Sequence, residues 1–158
     1  MPPKSAAHHR SGSKGGVVDP YHPVLESTLM ILLQKHFGVN NVVRDSGWVD
    51  LTVLSKKRKL LIELKTDPVA KRAIREAMGQ TLEYAYFEPT SHHLDLELYI
   101  VAPSPSDAGA ANYLKMLNVQ FGITVGYYQF TPGGNLAAPI SASDARTAGG
   151  LASSTNSL

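Results

Sequence analysis

The 158-residue chain contains no cysteine. Disulfides and thiolate metal centres are therefore excluded, and a reducing compartment is compatible with the composition. Charge is also scarce. Asp, Glu, Lys and Arg make up 18% of the residues, against about a quarter in an average soluble domain, and much of the deficit lies in the two ends of the chain. The formal net charge is +2, so bulk charge gives no argument for a polyanionic partner. No apolar run approaches the roughly 20 residues of a membrane-spanning helix, and the N-terminus lacks the apolar segment of a signal peptide. The expectation is a cytoplasmic protein without a membrane partner.

What is present is a core. Hydrophobic residues reach 43%, and the length suits one domain. Residues 1–18 are rich in Ser, Gly, Ala, His and Lys, and residues 131–158 in Gly, Ala, Ser and Thr. Both read as flexible tails, and His8-His9 in the first reads as a solvated pair. The folded domain is expected over residues 19–130. A helix starts near Pro23 and stops at Gly38, with Leu25, Thr28, Leu29, Leu32, Leu33 and His36 on its apolar stripe. Short strands follow at 41–44, 48–54 and 59–65. A second helix spans about 69–87, its apolar face being Ala73, Ile74, Ala77, Met78, Thr81, Leu82 and Ala85. A strand at 96–102, a helix capped by Asp107 and a strand at 123–130 complete an α/β order of α-β-β-β-α-β-α-β. That order implies a mixed sheet flanked by helices.

The stretch from Val49 to Lys65, VDLTVLSKKRKLLIELK, reads as a hairpin with two unlike faces. Alternation puts Val49, Leu51 and Val53 on one face, with Leu60, Ile62 and Leu64 opposite them. The other face carries Trp48, Asp50 and Thr52, opposite Leu61, Glu63 and Lys65. If Ser55 faces Arg58, then Leu51 meets Ile62, Val49 meets Leu64, and Asp50 meets Glu63. Lys56-Lys57 is poor chemistry for a two-residue turn, so a longer loop that shifts the register by two stays open. Two opposed carboxylates repel and call for a cation between them. Lys65 is one candidate. A hard divalent ion on oxygen ligands is the other, namely Mg²⁺, with Mn²⁺ or Ca²⁺ as substitutes. The competing reading is an amphipathic hairpin with a solvated charged face.

Asp50, then Glu63-Leu64-Lys65, behind a helix bearing Glu26, resembles the PD-(D/E)XK nuclease superfamily, also called restriction-endonuclease-like. Gln80 and Tyr84 match the Q-x-x-x-Y element of its RecB-type members. Val49 stands where the signature has proline. The resemblance covers about Pro23 to Ala102. It implies a restriction-endonuclease-like α-β-β-β-α-β core, with the last helix and strand as an addition, and a Mg²⁺-dependent deoxyribonuclease. Asp50, Glu63 and the backbone carbonyl of Leu64 would hold the metal, and Glu26 would complete or extend its shell. Lys65 would position the attacking water and stabilise charge on the scissile phosphate. Gln80 and Tyr84 would support the site or contact substrate. Small members of the superfamily often dimerise to cut two strands, so a homodimer is in view.

Two basic groups, Lys56, Lys57 and Arg58 in the turn and Lys71, Arg72 and Arg75 on the second helix, are candidate phosphate contacts. Each of them singly reads rather as solvated surface. Trp48 reads as core, or as a base-stacking residue. The reading from a different class is a catalytically inactive nuclease-fold module that binds nucleic acid or a protein partner.

Overall fold

The structure, a computed structural model, describes residues 19–44, 49–87 and 94–133. Both expected tails, apart from residues 131–133, and Trp48 lie outside the described residues. The elements are α1 (Tyr21–Phe37), a 3₁₀ turn (Val39–Asn41), β1 (Val42–Arg44), β2 (Leu51–Leu54), β3 (Arg58–Leu64), α2 (Ala70–Phe87), β4 (Asp95–Ala102), α3 (Ala108–Phe121) and β5 (Val125–Gln129). The strands form one five-stranded mixed sheet in the order β1-β2-β3-β4-β5. The β1–β2 and β2–β3 pairs are antiparallel, and β3–β4 and β4–β5 are parallel. No helix among the described residues is long and apolar enough to cross a membrane.

Each element has a local cause. Gly38 ends α1 with φ of 95°, a left-handed backbone that favours glycine, and returns its N–H to Gln34. Asp107 caps α3 by accepting the Ala110 amide. Gly122 closes α3 in the left-handed conformation. The hairpin turn is the tight one. Ser55 N donates to Arg58 O at 2.8 Å, and the Ser55 hydroxyl accepts the Arg58 amide. Serine thus supplies closure that Lys56-Lys57 cannot. The register follows, with Leu51 opposite Ile62 and Val53 opposite Leu60.

The two faces of the sheet bury different helices. On one, Leu25, Leu29 and Leu33 of α1 pack on Leu51, Val53, Leu60, Ile62 and Leu64. On the other, Ala73, Ile74 and Ala77 of α2 and Leu114 and Leu117 of α3 pack on Ile100, Val125 and Tyr127. The β3-α2-β4 and β4-α3-β5 crossovers join parallel strands and place both helices on that one face. Three expectations need correction. Val49 does not meet Leu64, because it packs on the α2 side with Leu61 and Tyr84. The β2 ladder begins only at Leu51, so strict alternation ends there. His36 is exposed, since the buried stripe of α1 is the narrower set Leu25, Leu29 and Leu33. Leu82 lies largely at the surface while Tyr84 is buried.

Candidate active site

The site forms where β3 reaches its carboxyl end and the chain turns toward α2. Glu63 and Lys65 are two apart and so face the same side, toward α2. The β2 ladder ends at Leu51–Ile62 and Asp50 stands just outside it, near enough to Glu63 for its charge to act there. Its Oδ2 accepts the backbone amide of Leu64 at 2.8 Å. A side chain thereby stands in for the missing backbone acceptor of the ended strand.

Glu63 is 4% exposed. Its Oε1 accepts Lys65 Nζ at 2.7 Å, and its buried Oε2 has no hydrogen-bond partner among the described residues. Burial pushes the Glu63 pKa above the ordinary carboxylate value, and the charge of Asp50 pushes it further. The Lys65 ammonium acts in the opposite direction without cancelling them. Lys65 Nζ also donates to Gln80 Oε1 at 2.6 Å, which ties the end of β3 to the middle of α2. Gln80 Nε2 in turn reaches the Tyr84 hydroxyl at 3.4 Å, one helical turn on. Tyr84 is buried against Val49 and Leu61. Four of the expected residues, Glu63, Lys65, Gln80 and Tyr84, therefore form one connected chain of contacts, with Asp50 beside it.

His22 belongs to the site and was not among the sequence candidates. Its Nε2 lies 3.5 Å from Asp50 Oδ2. The neighbouring Asp50 raises the His22 pKa above the usual imidazole value, against the burial that opposes charge. Glu63 thus faces Lys65, and Asp50 faces His22. Reading the helix from Pro23 leaves His22 outside it, whereas α1 begins at Tyr21. The signal that finds it is the i, i+4 spacing of His22 and Glu26 on one helix.

Glu26 is turned to a different partner. Its carboxylate meets Arg44 Nε of β1 at 2.6 Å, and Arg44 also donates to Ser27. The two basic groups separate. The Lys56-Lys57 turn lies six or more residues along β3 from Glu63, roughly 20 Å at 3.3 Å per residue, and Arg58 pairs there with Glu97. On α2, Arg72 is held by Asp67 at 3.1 Å. At about 100° per residue, Lys71 lies on the side of α2 opposite Gln80, and Arg75 nearly so.

The donor set suits a hard cation. The orphaned Glu63 Oε2 is a buried lone-pair oxygen, and the adjacent Asp50 adds a second carboxylate. No three His, Asp or Glu side chains among the described residues cluster in a way that could hold an ion. Mg²⁺ needs no such cage, because it keeps several waters and commonly takes one or two carboxylates plus substrate phosphate. No family model, curated protein or solved structure matches this chain.

Proposed function

We propose that this chain is a metal-dependent nuclease that hydrolyses DNA phosphodiester bonds, with a PD-(D/E)XK-type, restriction-endonuclease-like core. The observation that carries the reading is Glu63. Its carboxylate is buried, lacks a partner at Oε2 among the described residues and is clamped by Lys65. A folded core accepts that cost where a cation is to be bound. The α-β-β-β-α-β order and the Lys65–Gln80–Tyr84 chain support the same reading.

Asp50 and Glu63 would hold the metal, helped by the Leu64 carbonyl, with His22 and Glu26 at its margin. A bound Mg²⁺, or Mn²⁺ in its place, supplies Lewis-acid polarisation at the scissile phosphate. The Lys65 ammonium orients the attacking water and balances charge gathering on the phosphate oxygens. Gln80 sets the Lys65 rotamer, and Tyr84 sets Gln80. Asp50 keeps Leu64, and with it the β3 terminus, in place. Cutting both strands of a duplex would take two copies of the chain, and a cytoplasmic location suits the cysteine-free composition.

The test is Mg²⁺-dependent cleavage of plasmid, linear and branched DNA by the purified protein, with Asp50→Asn and Lys65→Ala as controls. Absence of cutting on all three substrates, together with absence of metal binding by calorimetry, would replace this reading with that of an inactive nuclease-fold module.

A further inference from the structure

The end of the sheet away from the candidate active site carries a second set of groups. Lys56 and Lys57 are exposed at the tip of the hairpin, and no carboxylate among the described residues pairs with either. The β3-α2-β4 crossover brings the C-terminus of α2 to this same end. β4 starts with Asp95 opposite Arg58, and the Asp95 amide donates to Lys57 O at 2.8 Å. Tyr84 packs on Leu61, two residues along β3 from Lys59. The next residues of α2, Tyr86 and Phe87, therefore lie beyond it toward the turn. They are 82% and 65% exposed, with ring centroids 5.0 Å apart in an edge-to-face pair.

We infer that Lys56-Lys57 and Tyr86-Phe87 together bind unpaired nucleotides of a nucleic-acid strand. Two large rings left in water at the end of a helix have apolar faces to cover, and base faces stack on them without regard to sequence. The two ammonium groups at the same end, unpaired among the described residues, match the phosphates that accompany those bases. Among the described residues Asp95 is an opposing charge at this end, and Glu97 pairs with Arg58. Interior base pairs must unstack to admit a side chain, at a cost of a few kcal/mol, so the rings favour single-stranded segments. This inference rests on the nuclease reading only for its biological setting. In that setting the substrate carries an unpaired stretch whose bases lie about 10 Å along α2 from Gln80 and whose phosphates reach Lys56-Lys57, roughly 20 Å along β3 from Glu63, as in a flap, overhang or branch.

The experiment uses the full chain in EDTA, so that cleavage plays no part. Fluorescence anisotropy reads binding of a short labelled oligothymidylate, the matching oligouridylate and a blunt duplex. The expected result is tighter binding of the single strands than of the duplex. Tyr86→Ala/Phe87→Ala should weaken single-strand binding roughly fivefold or more per stacked base and leave its salt dependence unchanged. Lys56→Ala/Lys57→Ala should make the log-log salt slope shallower by about 1.4, at 0.7 per phosphate contact on a single strand. Both variants should melt as the parent does, because all four side chains lie at the surface. Equal binding of single strand and duplex, or full single-strand affinity in the aromatic variant, overturns the inference. So does failure of the parent to bind either single strand, which would leave the aromatic pair to a protein partner. Cleavage of blunt duplex in Mg²⁺ reports on the nuclease proposal separately, so either idea can fail while the other stands.

Discussion

The Asp50 carboxylate accepts the Leu64 backbone amide at 2.8 Å, so this side chain is both a candidate metal ligand and the structural end of the β2–β3 ladder. The two roles separate on substitution. Asp50→Asn keeps an acceptor for Leu64, and Asp50→Ala leaves that amide without one. Both should lose metal binding. The alanine variant should be less stable than the asparagine variant by about 1–2 kcal/mol, the cost of an unsatisfied part-buried donor. Urea unfolding with metal chelated measures this difference, and equal stabilities would show that Leu64 does not depend on Asp50.

Glu63 should behave in the opposite sense. In the chelated protein, Glu63→Gln keeps an oxygen for Lys65 and removes a buried charge held beside Asp50. The parent pKa is raised chiefly by burial, so charging Glu63 disfavours the fold despite Lys65. The variant should be more stable at neutral pH, on the order of 1 kcal/mol. A raised folded-state pKa means that the parent holds its advantage below the ordinary carboxylate pKa and loses it as pH rises through the raised value. The gain of Glu63→Gln should therefore shrink toward zero on acidification below the ordinary glutamate pKa of 4.5. Thermal melts of both proteins across pH give the answer, and a gain that grows in acid would contradict the assigned sign.

Lys65→Ala should cut the cleavage rate at least a hundredfold, on the scale of losing one charge-stabilising group, while calorimetry shows metal still bound. Equal loss of both would mean that Lys65 organises the carboxylates and does not act on the phosphate.

Gln80→Ala removes the strut that holds Lys65 at 2.6 Å. We expect a loss of about tenfold in kcat with little change in metal affinity, since misplacement of a positioned group is the only defect. Tyr84→Phe should change the rate less, because the hydrogen bond lost is 3.4 Å long. Tyr84→Ala should destabilise the protein by about 3–5 kcal/mol through the cavity left against Val49 and Leu61. A rate defect in Tyr84→Phe larger than that in Gln80→Ala would place the hydroxyl at the substrate.

Much of this was legible because the relevant physics is local. Period-two alternation placed Leu51, Val53, Leu60 and Ile62 on the α1 face, and the Ser55–Arg58 closure kept the tightest register. The five strands and three helices fall within a few residues of their expected bounds, since Gly38, Asp107 and Gly122 punctuate the chain. Alternation failed at Val49, because a strand's period holds only while its ladder continues. Gln80 and Tyr84 could be read as one helix stripe, but not as the strut on Lys65, which depends on how α2 crosses β3.

The sequence by itself determined that Glu63 and Lys65 share the sheet face opposite Leu60, Ile62 and Leu64, because side-chain direction along a strand follows from the backbone. Only the tertiary structure decided their partners. It brought the first turn of α1, with His22, to Asp50, gave Glu26 to Arg44, and set Gln80 on Lys65. Those outcomes depend on the packing of α1 and α2 on the two faces, where summed burial over many residues outweighs any single charge pair.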